Sequence, residues 1–164
     1  MKRITATWPP EPKTKDSALA AQVYAGIVIV MVAAWLLGFN HFVVALDSYD
    51  LPVSNNGLSA AIYLTCVGIL AVPFLLGMKL SPAMRIVSML AGWATAVSWF
   101  GLSVWSTVFA DRIDSVALIA PAFKLPPGWW MIILAAGICV LSAWSSWGLW
   151  PHRRRASLEA APKK

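Results

Sequence analysis

Two histidines, two cysteines and seven acidic side chains are the groups in this 164-residue chain that could bind a metal, move a proton or attack a substrate. Haem ligation by two imidazoles needs both rings facing one another at compatible depth. His41 stands at the far end of an apolar run and His152 in the C-terminal tail, so one chain cannot supply that pair. Cys66 and Cys139 both fall inside apolar runs, which leaves no CxxC redox or zinc motif and no disulfide framework. A thiol in such surroundings packs as a small hydrophobe. Polar groups do gather between the apolar runs: Asn40, His41, Asp47, Asp50, Asn55, Asn56, Asp111, Arg112 and Asp114. An imidazole among carboxylates can hold a transition metal or shuttle a proton. Their spacing matches no ligand motif, however, and we read them as solvated loops with a histidine at a helix end. No metal site and no catalytic constellation is assigned.

The elements that must position these groups are unusually apolar. From Ser81 to Ala110 the chain reads SPAMRIVSMLAGWATAVSWFGLSVWSTVFA, with a single arginine near the start and then about 25 uncharged residues up to Asp111. A run beyond about 18 apolar residues is long enough to cross a membrane. Three similar runs accompany it. The chain is 59% hydrophobic and 12% charged, against roughly 25% charged in a soluble domain. These features imply an all-α polytopic membrane protein, a bundle of four transmembrane helices.

In order, Met1 to Ser17 is a polar tail in which Pro9, Pro10 and Pro12 oppose regular structure. Helix one is expected over about Ala18 to Leu46, helix two over Leu58 to Met78, helix three over Pro82 to Ala110 and helix four over Gly128 to Trp150, ahead of a basic tail from Pro151 to Lys164. The first run is too long for a signal-peptide core and reads as a retained helix. Pro73 inside helix two should kink it around Ile69 to Pro73. In the last loop, VALIAPAF could lie along the membrane surface, and Trp129, Trp130, Trp144, Trp147 and Trp150 form an aromatic belt at each end of helix four.

Charge sets the orientation. Of the 13 Lys and Arg residues, 11 lie in the two tails and the second loop, while Arg112 and Lys124 share the other side with four of the seven acids. The positive-inside rule therefore places both termini in the cytoplasm. The basic residues form no stripe or groove, which argues against nucleic acid despite the net charge of +6. All charges lie outside the apolar cores, which argues against proton relays, ion-coupled transport and voltage sensing, since these need ionisable groups within the membrane.

Helix three places Gly92 with Ala96, and Ala94 with Ser98, at small-xxx-small spacing, which lets backbones approach closely. Trp93, Trp99, Phe100 and Trp105 lie among them. Such rings beside small residues either pack as large against small or line a flat pocket for a quinone or lipid. If a quinone is bound, the candidate residues are His41, donating to a quinone oxygen, and Trp105, packing on the ring.

From Gly38 to Gly92 the chain resembles the DoxX/MauE-like group of small four-helix membrane proteins. The resembling features are LLGFNHFVVALDSYDLP, with Phe42, Tyr49 and Leu51-Pro52, and then LLGMKLSPAMR, where Gly77 precedes a basic turn. The resemblance implies a setting of membrane redox chemistry, such as quinone-linked thiosulfate oxidation or maturation of a periplasmic amine dehydrogenase. Val67 stands where that group often has a glutamate, and the Cys-Gly-Cys element of MauE-like members is absent. No catalytic residue is carried over.

The reading that follows is a non-catalytic accessory or assembly subunit of a larger membrane complex, in a bacterial plasma membrane. Its partners would be the lipid bilayer and other membrane subunits or copies of itself, and it would carry no cofactor. The alternatives are a quinone-interacting oxidoreductase component and a carrier for an uncharged or lipid substrate.

Overall fold

Thr14 opens the first helix with a reciprocal cap: its hydroxyl accepts from the Ser17 amide at 3.2 Å, and Ser17 Oγ accepts from the Thr14 amide at 3.4 Å. Two of the amides that a helix start leaves unpaired are thereby satisfied. The computed structural model describes residues 14–49, 56–108 and 128–149. Five helices follow in order: α1 (Lys15–Leu37), α2 (Phe39–Asp47), α3 (Gly57–Leu75), α4 (Pro82–Val108) and α5 (Trp129–Leu149). All except α2 are long and apolar enough to cross a membrane, the architecture of a multi-pass membrane protein. Of the expected N-terminal tail, Lys15 to Ser17 already belong to α1; the rest of it before Thr14, with Trp8, lies outside the described residues, as do Trp150, the C-terminal tail with His152, the loop positions Asp50, Asn55, Asp111, Arg112 and Asp114 and the VALIAPAF segment.

The four long helices form a ring in which α1 packs on α3, α3 on α4, α4 on α5, and α5 back on α1. Gly148 near the end of α5 is so close to Ser17 at the start of α1 that any side chain there would overlap it. The start of α1 and the end of α5 therefore sit at the same end of the bundle, as an even number of crossings requires.

Across one diagonal, α1 and α4 are joined by side chains rather than by close backbones. Tyr24 donates its hydroxyl to the Gly92 carbonyl at 2.7 Å, and Trp35 stacks on Trp99 with ring centres 5.2 Å apart. On α4, Gly92 and Ala96 are buried as their spacing implies, whereas Ala94 and Ser98 are half-buried and Gly101 faces outward. α3 and α5 occupy the other diagonal. Cys66 on α3 is exposed, while Cys139 on α5 donates weakly to the Ala96 carbonyl at 3.5 Å.

Three expectations are refined. The run read as one helix from Ala18 to Leu46 is two helices, broken at Gly38, where ψ of 35° leaves the helical region. The break brings Phe42 onto Trp35, ring centres 4.9 Å apart and planes parallel within 1°. Residues seven apart on a straight helix are separated by about 10 Å of rise, so the stack marks a true bend. α3 ends at Leu75, short of Met78, because Gly77 adopts a left-handed φ of 65°. There the Met78 amide bonds the Pro73 carbonyl at 3.0 Å and the Gly77 amide bonds the Phe74 carbonyl at 3.1 Å, a glycine-dependent helix stop. Finally, Pro73 lies within α3 where a kink is expected, and Ser88 of α4 enters the helix there. Ser88 Oγ accepts from the Phe74 amide at 3.0 Å and donates to the Leu70 carbonyl, with the Ala71 carbonyl at 3.3 Å.

Candidate functional site

α2 lies over the end of the bundle away from the start of α1, and Asp47 fixes it there. Its carboxylate Oδ1 accepts from the Gly57 amide at 3.1 Å, so an acid at the end of α2 caps α3. An anion at a helix start is favoured by the unpaired amides and the helix dipole. The cap also depends on Gly57: a Cβ there would lie 2.6 Å from the Asp47 amide nitrogen and overlap the Val43 carbonyl. Asp47 thus serves as a structural clamp.

The far end of α4 is tied to the same layer. Trp105 Nε1 donates to the Tyr49 carbonyl at 2.8 Å, just past α2, and Tyr49 itself is buried. Trp105 is half-buried, while His41 is exposed on α2 and bonds to no described residue. The two quinone candidates are therefore in unlike settings. Trp105 already spends its indole N–H on the backbone, and His41 presents its imidazole outward. Among the described residues, no three His, Cys, Asp or Glu side chains come together as a metal site.

Beneath α2 lies an aromatic stack that the sequence does not single out as a unit: Phe42, Trp35 and Trp99, with Trp35 as the shared member. All three are buried. Trp35 Nε1 and Trp99 Nε1 are enclosed without a hydrogen-bond acceptor. The stripe of rings on helix three points to Trp99, but Trp35 is hidden in an apolar run whose bend is not visible from composition.

The rest of the interior is self-contained. Thr65, Thr95 and Ser103 each donate to the carbonyl four residues before them, at 2.8, 2.9 and 2.8 Å. Ser106 and Ser145 donate three residues back, to Ser103 and Ser142. Hydroxyls bonded this way stay within their own helix.

On the outside, α1 and α5 flank a groove of about 900 Å³, lined by Gly26, Val30, Met31, Gly137, Ile138 and Trp144 among others. A Cβ at Gly26 or at Gly137 would meet nothing within 4 Å. Comparison with protein-family models finds no match to this chain, and comparisons with curated proteins and with solved structures find none either.

Proposed function

We propose that this chain is a non-catalytic accessory or assembly subunit, which uses its α1–α5 face to seat an apolar helix of a larger membrane complex. The observation that carries this reading is the groove. It is apolar, and it holds a bare glycine from each of two helices, Gly26 and Gly137. Glycine costs helix stability, about 1 kcal/mol against alanine. In membranes small residues repay that cost where another helix backbone approaches. A lipid tail, being flexible, gains little from such a notch. Thr65, Thr95, Ser103 and Ser145, bonded to their own helices, further support a packing role over chemistry.

In the same reading the chain sits in a bacterial plasma membrane with both termini in the cytoplasm, supported by the distribution of Lys and Arg. Reporter fusions after Leu80 and after Lys164 should then report cytoplasm, and fusions after Asn55 and after Phe123 the outside.

Purification in mild detergent tests the function. An accessory subunit brings a protein partner in stoichiometric amount, and a photocrosslinker at Val30 joins the two. Gly26→Leu with Gly137→Leu should release that partner while the bundle stays folded. A partner held equally by the double variant, or crosslinking that misses Val30, would refute the groove as the docking face. Recovery of bound quinone instead of protein, lost in His41→Ala, would favour the redox-component reading.

A further inference from the structure

One polar side chain interrupts the outward face of α1. Gln22 is exposed, bonds to no described residue, and stands one turn before Gly26 in the run ALAAQVYAGIVIV. Seven residues past Lys15, it lies about 10 Å along the helix, beyond the charges of the first turn and flanked by the exposed Leu19 and Val23. The four spanning helices hold no other amide side chain. An amide carries two donor hydrogens and an acceptor oxygen, and lipid tails satisfy none of them.

Gln22 and the groove share one side of the bundle. Residues four apart lie on one helix face, so Gln22 continues the line of Gly26 and Val30, which border the groove. Gly148 meets Ser17, and equal rise from that contact sets the levels along antiparallel α1 and α5. Gly137 then stands level with Val28, about 3 Å along the axis from Gly26, and Trp144 stands level with Ala21, next in depth to Gln22. Trp144 lines that end of the groove, is 50% exposed and bonds to no described residue. The groove thus has a bare notch at its glycines and a hydrogen-bonding end at Gln22 and Trp144.

Whatever covers this face must bring hydrogen-bonding groups to the depth of Gln22. A foreign helix does so only if its own sequence places one there. A second copy, inserted in the same orientation, does so by necessity, because its α1 runs parallel and carries Gln22 at the same depth. Two amides facing across a twofold axis exchange two N–H···O bonds, and a twofold contact is one patch meeting itself. Side-chain amides are among the groups that join helices in membranes. We propose that the chain forms a twofold dimer, in which α1 of each copy seats in the α1–α5 groove of the other and the two Gln22 side chains pair. Gly26 and Gly137 let that helix approach closely. The dimer depends on the docking role given to the groove above, and makes α1 of the second copy the helix it takes.

The test uses the full-length protein in lipid bilayers. A photocrosslinker at Val30 should give a product of twice the chain's mass, and one at Val104, on the outward face of α4, should give none. Energy transfer between donor- and acceptor-labelled copies in liposomes, titrated against lipid, reads the dimer constant. Gln22→Leu should weaken it about 3- to 20-fold, the range of interhelical hydrogen bonds in membranes, while Gln22→Asn, which keeps the amide, should retain most of it. Because Gln22 faces outward, neither variant should change the circular dichroism of the bundle. No energy transfer in the wild type, or an equal dimer constant for Gln22→Leu, would overturn the proposal, the amide then reaching the headgroups instead. Val30 crosslinked to a different protein in the native membrane, with no dimer of the chain, would overturn the dimer and leave the docking role of the groove standing. Dimers crosslinked through Val104 and not through Val30 would refute both.

Discussion

Ser88→Ala is the sharpest perturbation the fold allows, because one hydroxyl there bonds both ends of a rung of another helix. In α3 the Phe74 amide would ordinarily bond the Leu70 carbonyl; Ser88 Oγ stands between them, accepting from the first and donating to the second. Pro73 explains why. Its ring crowds the carbonyl four residues earlier and supplies no N–H, so the turn is splayed. Removing the hydroxyl leaves a buried amide and a buried carbonyl unpaired beside a residue only 1% exposed. Such orphans cost about 1–3 kcal/mol in soluble proteins. Interhelical bonds in membranes average about 0.6 kcal/mol and reach about 1.7. We therefore expect a loss of about 1–2 kcal/mol, read as a lower midpoint in SDS unfolding followed by circular dichroism. The decisive measurement is the cycle with Pro73→Ala. Without the proline the turn can close, the Phe74 amide can return to Leu70, and Ser88→Ala should then cost much less. A coupling of about 1 kcal/mol is expected, within the range for residues in direct contact. Additive losses would show that Ser88 does not act through the splayed turn, and the account of the kink would fail.

Substitutions at Gly77, Gly92 and Asp47, with Val104 as a control, probe other joints of the same bundle. Gly77→Ala should destabilise by about 1 kcal/mol in the same assay, since φ of 65° places a Cβ in the left-handed region. At Gly92, an alanine Cβ would meet Ala71 and Tyr24 at an ordinary 3.9 Å, so Gly92→Ala should be close to neutral. Gly92→Leu should cost about 1–3 kcal/mol by forcing α4 away from α1 and α3, whereas Val104→Leu, facing outward, should stay within about 0.5 kcal/mol; equal unfolding midpoints would mean the face is not buried. Asp47→Ala should remove the cap on α3 at a cost of about 0.5–2 kcal/mol and raise amide exchange at Gly57, while Asp47→Asn, which keeps an acceptor oxygen, should retain most of the protection.

The spans were legible because length and apolarity alone separate a membrane helix from a soluble one, and Pro73 marked the turn of α3 that Ser88 enters. The bend at Gly38 was not legible. LLGFNHF is apolar up to Asn40, glycine occurs in straight membrane helices as well as bent ones, and nothing local distinguishes the two. Missing the bend also hid α2, the clamp by Asp47 and the stacking of Phe42 on Trp35, all of which depend on it. Ser88 was invisible for a different reason. One serine in a helix usually bonds its own backbone, and only the position of Pro73 across the α3–α4 interface gives this one another task. His41 and Trp105 were chosen by chemical type near a membrane surface. The structure gives them separate surroundings, because α2 turns His41 outward while Tyr49 draws in the Trp105 indole.

The interior follows from how a bundle coheres when its outside is as apolar as its core. Burying hydrocarbon gains little relative to lipid, so cohesion rests on close contact and on pairing polar groups. Ser103, Ser106, Ser142 and Ser145 are all buried, and three of them return a hydroxyl to their own helix. The wide diagonal between α1 and α4 needs the opposite solution, large rings that reach the centre, with Tyr24 finding the Gly92 carbonyl. Trp35 and Trp99 fill the same diagonal further along but find no protein acceptor. The interior is thus joined across helices by Tyr24, Ser88 and the stacked rings, which leaves the α1–α5 groove as the face through which we propose the chain meets a partner.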